Sequence, residues 1–471
     1  MDRVDPLGSL FALQRAAFAQ QPYPSLEARL QRLHRLAVLL QEDGDALAQA
    51  ISADFGHRSL HETAIAEIFF LQTALAHARR HLRRWMTPRR VPTSFHSLPG
   101  TSRILPQPVG VVGVVSPWNY PLQLALGPAI GALAAGNRVL IKPSEVTPRL
   151  SALLAERVAA QFASEECAVV PGDVAAGQAF VRLPFDHLFF TGSTAVGRQV
   201  ALAAAANLTP VTLELGGKSP AIVDASADLQ ESAARIAAGK LFNAGQTCIA
   251  PDYVMVPRSQ ADGFAAAYQA AVRHMFPRLD GNPDYTSIVN ERHYQRLQGL
   301  ARDAEAQGAR LVRMDPAGEA EDPRLRKLRP ALLLDVQPAM AVMREEIFGP
   351  LLPVLPYEGV DEAIAFVNAR PRPLALYWFG KDVRRRRQVL TRTVSGGVTV
   401  NDVLLHIAQE NLPFGGAGES GIGAYHGETG FRLFSQEKPV FTQSRWAGTA
   451  LLRPPYGART RRVLELLRRI V

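Results

Sequence analysis

The stretch Val109-Gly110-Val111-Val112-Gly113-Val114-Val115 constrains the fold of this chain more than any other. An uninterrupted apolar run, rich in Val and closed by a turn signal at 116–121, reads as a strand buried on both faces. An Ala/Leu/Gly helix follows to about residue 135, and residues 138–142 read as another strand, which completes a βαβ unit. A second unit repeats the pattern: strand 187–191, a glycine-bounded loop at 192–197, an Ala-rich helix at 198–206 and strand 211–215. Strands alternating with helices imply a parallel sheet covered on both sides, so the fold class is α/β. The alternation resumes after residue 220 with different loop chemistry, which predicts a second α/β domain to about residue 400. Residues 25–85 read as helices, on the spacing of Leu26, Leu30, Leu33 and Leu36. The Arg-, Pro- and His-rich stretch 79–99 reads as a connector, and 410–440 is dense in Gly and aromatics.

Composition narrows the function classes. At 471 residues the chain holds two or three domain-sized units. It has no run of 18 apolar residues, so no ordinary membrane span is expected. The start, Met1-Asp2-Arg3-Val4-Asp5-Pro6, lacks a basic then apolar leader, and the expected location is the cytoplasm. Two cysteines, Cys167 and Cys248, exclude a disulfide scaffold and a Cys-based zinc site. The scattered His residues make no H-E-x-x-H, so no metal is expected. The formal charge of +9 does not point to nucleic acid. Only six of the 52 basic residues are Lys, the rest being Arg, and the basic clusters carry no interleaved aromatics.

Two glycine motifs fail on inspection. Gly192-Ser193-Thr194-Ala195-Val196-Gly197 has phosphate-loop spacing, but Arg198 and Gln199 follow in place of Lys and Ser/Thr. Gly416-x-Gly418-x-x-Gly421 does not lie between a buried strand and a helix. Four other segments carry chemistry, three of them with a plainer reading alongside. Cys248 follows Gly245-Gln246-Thr247, a small polar approach that leaves the sulfur reachable at a loop tip or at a helix N-terminus, which would lower its pKa. Packing is the alternative, and it is preferred for Cys167, which follows Glu165 and Glu166. Glu214 ends an apolar strand, where desolvation raises a carboxyl towards a general base. The alternative is a salt bridge to Lys218. Asn119, between Pro117 and Pro121, is a neutral donor suited to an oxyanion, or else a helix cap. Lys142 and Glu145 end a parallel strand, where they could grip the two hydroxyls of a ribose.

Taken in order, these segments resemble the NAD(P)-dependent aldehyde dehydrogenase superfamily over about residues 20–445. The carrying motifs are Ser116-Pro117-Trp118-Asn119-Tyr120-Pro121, Lys142-Pro143-Ser144-Glu145, Phe190-Thr191-Gly192-Ser193, Leu213-Glu214-Leu215-Gly216-Gly217-Lys218, Gly245-Gln246-Thr247-Cys248 and Glu346-Ile347-Phe348-Gly349-Pro350. The closing motifs Asn401-Asp402 and Tyr425-His426-Gly427 look like the short class 3 branch, and within it the bacterial enzymes acting on coniferyl aldehyde. The resemblance implies a Rossmann-type cofactor domain, a catalytic domain and a small oligomerisation segment. The corresponding division is 1–212 (with 80–105 contributing to oligomerisation), 213–405, 406–445 and a tail at 446–471. It also implies roles. Cys248 attacks the aldehyde, Asn119 and the Cys248 N–H hold the oxyanion, and Glu214 activates water. Lys142 and Glu145 hold the adenosine ribose, Ser193 with Gly192 and Gly197 the pyrophosphate, and Glu346 the nicotinamide ribose. Phe348 packs near the nicotinamide, and Ser116 and Trp118 complete the cofactor set. The expected cofactor is NAD, with NADP as a second use. The expected substrate is an aldehyde, aromatic such as coniferyl aldehyde or medium-chain aliphatic.

Other readings stay open at the level of sequence. An acylating relative would pass the thioester to coenzyme A or phosphate, but such members lack the glutamate found here at 214. A catalytically silent homologue, or a cofactor-free thiol hydrolase, would leave the ordered motifs unexplained. In the tail, Val463, Leu464, Leu466, Leu467 and Ile470 form an apolar helical face among Arg461, Arg462, Arg468 and Arg469. Subunit packing in a homodimer is preferred there. A cover over the substrate entrance, or peripheral contact with an anionic membrane, is the alternative.

Overall fold

A computed structural model describes residues 6–319 and 322–470. Residues 1–5, read above for a leader, lie outside the described residues. The apolar run becomes the strand Val111–Val115, near the middle of a six-stranded sheet. The order across this sheet is Gly421–Ile422, Val211–Leu215, His187–Gly192, Val111–Val115, Arg138–Lys142 and Cys167–Val169. All neighbours are parallel except Gly421–Ile422, which runs antiparallel to Val211–Leu215. Val111, Val112 and Val114 have no exposed surface, as a strand covered by helices on both faces requires. The first unit adds strands to one side of Val111–Val115 and the second unit to the other. Strand order therefore reverses beside this strand, and in open parallel sheets the crevice at such a point binds ligands.

The second sheet has seven strands, in the order Arg310–Arg313, Ala331–Leu334, Leu351–Tyr357, Tyr253–Pro257, Pro220–Val223, Ala375–Phe379 and Gly397–Val400. Only Arg310–Arg313 is antiparallel to its neighbour. Val211–Leu215 belongs to the first sheet and Pro220–Val223 to the second, so residue 212 falls within a strand and the chain changes sheets at 216–219. A third, antiparallel sheet joins Arg89–Val91, Thr101–Pro108 and Ser435–Thr442. The segment 410–440 thus returns to the first half of the chain.

Two local expectations need correction. Residues 79–86 are not a connector but the end of the helix Phe70–Met86. Arg79, Arg80, Arg83 and Arg84 face solvent while Ala78, Leu82 and Trp85 are buried, so helical periodicity outweighs composition here. The loop expected over 192–197 is shorter than that. Ser193 caps a helix that already begins at Thr194, and Gly197 lies inside it. A Cβ on Gly197 would come 2.6 Å from Leu215 Cδ2, so this glycine allows close helix–strand packing. Among the described residues no helix is long and apolar enough to cross a membrane.

Candidate active site

Cys248 lies between the helix Leu229–Leu241 and the strand Tyr253–Pro257. The chain leaves the helix through a tight turn, Phe242–Gly245, in which Asn243 (φ 53°), Ala244 (φ 51°) and Gly245 (φ 77°) are all left-handed. Three such residues in a row persist only where their surroundings over-determine them. Here Asn243 N–H donates to Glu62 Oε2 at 3.1 Å, and Asn243 Nδ2 donates to the carbonyls of Asn119 and Gln246, each at 3.1 Å. Gln246 Nε2 donates to the Asn243 and Ser287 carbonyls, and its Oε1 accepts from Val289 N–H at 2.9 Å. No helix starts at Cys248. The low thiol pKa expected from one is replaced by its opposite: burial, with Glu346 and then Glu214 nearby, pushes the thiol up to about 12. The N–H groups of Cys248 and Ile249 face the sulfur and act the other way. Cys167 is buried in the first sheet, and burial pushes its thiol up to about 12 as well.

Asn119 sits just beyond the C-terminal end of Val111–Val115 and is buried. Its Nδ2 donates to the Gln246 carbonyl at 3.2 Å, which ties its side chain to the cysteine loop rather than to a helix end. Tyr120 Oη and Thr247 Oγ1 are 2.6 Å apart, a second link beside the sulfur. Glu214 is carried by Val211–Leu215, in register with Thr191 on one side and Gly421 on the other. Neither of its carboxyl oxygens has a hydrogen-bond partner, and burial raises its pKa well above the usual carboxylate value. The salt bridge to Lys218 does not form. Lys218 Nζ binds Asp252 instead, with the Val342 and Glu345 carbonyls.

One cavity of about 530 Å³ brings together Cys248, Asn119, Glu214, Trp118, Gly192, Ser193, Glu346 and Phe348. Ser116, Lys142, Glu145 and Gly197 do not line it. Ser116 N–H donates to the Lys142 carbonyl at 3.1 Å, so these two residues join neighbouring strand ends. Lys142 Nζ donates to the carbonyls of Pro143 (2.7 Å) and Gly172 (2.9 Å), which leaves one of its three donors for a ligand. Glu145 is exposed beside it. Glu346 lies over Gly216, where a Cβ would come 2.1 Å from its Oε2. Burial, then Asp252, pushes its carboxyl up to about 8. Phe348 meets Trp118 edge-on, with ring centroids 5.4 Å apart. Ser116 Oγ, Thr191 Oγ1 and Glu346 Oε1 are buried with no partner. With the helix N-terminus at Ser193, these orphaned oxygens fit a ligand rich in hydroxyls and phosphates, as a dinucleotide is. Among the described residues no group of three or more His, Cys, Asp or Glu is placed to hold a metal ion.

Sequence reasoning missed part of the wall. Phe414 and Tyr425 reach the cavity from the returning segment, whose Gly and aromatic density and branch resemblance did not point to the cavity wall. Arg235 Nη1 donates to Asp402 Oδ2 at 3.1 Å, and both residues line the cavity from separate parts of the chain.

Residues 10–440 match the aldehyde dehydrogenase family. The chain is 51% identical to a probable coniferyl aldehyde dehydrogenase of Pseudomonas aeruginosa, over 96% of this chain and 94% of that one. It is 49% identical to a coniferyl aldehyde dehydrogenase of a Pseudomonas species, over 98% and 96%. Among solved structures, the substrate-bound state of Staphylococcus aureus AldH superposes with a TM-score of 0.93 at 37% identity, covering 98% of this chain and all of that one. A Mycobacterium tuberculosis aldehyde dehydrogenase complexed with NAD+ gives 0.83 at 30% identity, over 93% and 90%.

Proposed function

The chain belongs to the aldehyde dehydrogenase family, and from that premise we propose that Cys248, Asn119 and Glu214 carry out its nicotinamide-dependent oxidation of an aldehyde to the carboxylic acid. The observation that carries the assignment is the meeting of the three in one cavity, with the Glu214 carboxyl buried and unpartnered. Cys248 gives up its thiol proton to solvent water, and Sγ, now a thiolate, attacks the aldehyde carbon to form a thiohemiacetal. The carbonyl oxygen becomes an oxyanion, held by Asn119 Nδ2–H and the Cys248 N–H. A bound nicotinamide supplies the hydride acceptor. Water then attacks the thioester left on Sγ, its proton passes to Glu214, and the acid departs as the carbon–sulfur bond breaks.

For the cofactor, Lys142 and Glu145 would hold the adenosine ribose, and Ser193, with Gly192 and Gly197, the pyrophosphate. Ser116 and Trp118 would support these contacts, Glu346 would take the nicotinamide ribose, and Phe348 would pack near its ring. Glu145 favours NAD, since its carboxylate repels a 2′-phosphate. For the substrate, the aromatic lining at Phe70, Tyr120, Phe242, Phe414 and Tyr425 supports an aromatic aldehyde of the coniferyl kind. So does the likeness to the two Pseudomonas relatives, which are named for coniferyl aldehyde. The strand Ser435–Thr442 is paired on one side only among the described residues, and this open edge supports a homodimer.

The test is a Cys248→Ser variant with product analysis. The reading expects the variant to lose aldehyde-dependent NADH formation, and the parent enzyme to release free acid without added coenzyme A or phosphate. NADH formation surviving in the variant, or strict dependence on either acceptor, would refute it. A kcat/KM comparison of aromatic with medium-chain aldehydes checks the substrate class.

A further inference from the structure

Beneath the cavity lies an ion pair that the reaction does not use. Arg58 and Glu67 have no exposed side-chain surface, and Arg58 Nη1 lies 2.9 Å from Glu67 Oε1. A buried pair of this kind is weak evidence of stabilisation, since apolar groups of the same volume often do as well. Its contacts converge on one short segment. Arg58 Nη1 also donates to the Asn119 carbonyl at 2.8 Å. Glu67 Oε2 accepts from Leu122 N–H at 2.8 Å and Gln123 N–H at 3.0 Å, donors left free where the helix Gln123–Ala135 begins. Residues 119–123 are thus held at one end by the cation and at the other by the anion. Between these ends, the Arg58 guanidinium lies over the Tyr120 ring, 4.9 Å from its centroid.

The same carbonyl of Asn119 accepts a second hydrogen bond, from Asn243 Nδ2 in the turn that leads to Cys248. One oxygen therefore joins the buried charge, the proposed oxyanion donor and the nucleophile's loop. Glu67 lies in a π-helical turn, Ala64–Phe69, of a kind that recurs at functional sites.

We propose that the Arg58–Glu67 pair is a positioning device for the Asn119 amide, fixing its backbone so that Nδ2 stands ready for the oxyanion. The proposal rests on the assignment of Asn119 above. Without Arg58 the carbonyl loses its charged donor, the segment turns, and the amide leaves its working orientation. Misplacement of a reacting group by about 1 Å costs on the order of 100-fold.

A double-mutant cycle tests this with four proteins: the parent, Arg58→Met, Asn119→Ala and the two combined. The expected result is a loss of about 100-fold in kcat/KM for Arg58→Met, with NAD+ affinity unchanged, and about 100- to 1,000-fold for Asn119→Ala. In the Asn119→Ala background the Arg58 change should cost under about threefold, since coupled residues are not additive. Equal losses in both backgrounds, or no loss from Arg58→Met, overturn the proposal while leaving Asn119 its role. No loss from Asn119→Ala overturns that assignment and the proposal with it. Should Arg58→Met fail to fold, Arg58→Met with Glu67→Leu removes both charges together. That protein should fold and show the same loss, and parental kcat/KM in it would overturn the proposal.

Discussion

Burial alone favours the protonated form of Glu214 and raises its pKa well above the usual carboxylate value, with neither carboxyl oxygen hydrogen-bonded. A base must first lose that proton, so kcat should rise with pH along a limb whose midpoint lies above the ordinary carboxylate value of 4.5. A pH–rate profile rising near 4.5 instead would remove Glu214 from the rate-limiting step. Glu214→Gln should still give one equivalent of NADH in a stopped-flow burst, because hydride departs before water attacks. Its steady-state kcat should fall by about 10²- to 10⁴-fold. Glu145 offers a separate reading of cofactor choice. If Glu145 holds the adenosine ribose as proposed, Glu145→Gln should raise kcat/KM for NADP+ relative to NAD+, by about tenfold for each 1.4 kcal/mol of repulsion relieved; an unchanged ratio places the discrimination elsewhere. Glu214 was legible in the sequence because a carboxylate in an apolar strand is conspicuous. The state of the Cys248 thiol was not, because two of the groups that set it, Glu346 and Glu214, arrive from distant parts of the chain.

At the scale of single elements, the turn Phe242–Gly245 leads to Cys248, the proposed nucleophile, and is closely constrained. Gly245 is left-handed, and a Cβ there would lie 2.3 Å from the Gly349 carbonyl oxygen. That carbonyl belongs to the segment bearing Glu346 and Phe348. Gly245→Ala should therefore cost about 1–3 kcal/mol of stability and should also displace the cofactor side of the cavity. Urea denaturation and the KM for NAD+ measure the two effects, and a parental value in both would show that the turn adapts. The four strands read in the sequence, Val111–Val115, Arg138–Lys142, His187–Gly192 and Val211–Leu215, were legible from their apolar character and their place between helices. The helix Phe70–Met86 was partly misread because its Arg residues suggested a surface connector, although they occupy only its solvent face. The left-handed turn had no signal beyond Gly245, since Asn243 and Ala244 adopt their conformation through partners far away in sequence.

For the molecule as a whole, the order of the two βαβ units sets the crevice before any loop is considered, which is why the fold class and a candidate crevice for a ligand could be read together. The substrate wall could not be, as its lining comes from segments between Ile65 and Tyr425. The helix Ala458–Ile470 packs on Gly448–Leu452 and keeps Leu464 and Leu466 exposed. If this face serves subunit packing, deleting residues 458–471 should lower the oligomeric mass seen by light scattering and leave binding to anionic liposomes unaltered. Loss of liposome binding at constant mass would favour the membrane alternative. The short strand Gly421–Ile422 has a consequence for synthesis. It closes the edge of the strand that bears Glu214, and Phe414 and Tyr425 close the cavity, so both wait for residues 414–425 to leave the ribosome. A nascent or truncated polypeptide ending before residue 414 would present Cys248 in an open pocket, where a chaperone or an oxidant reaches the sulfur before an aldehyde can be turned over.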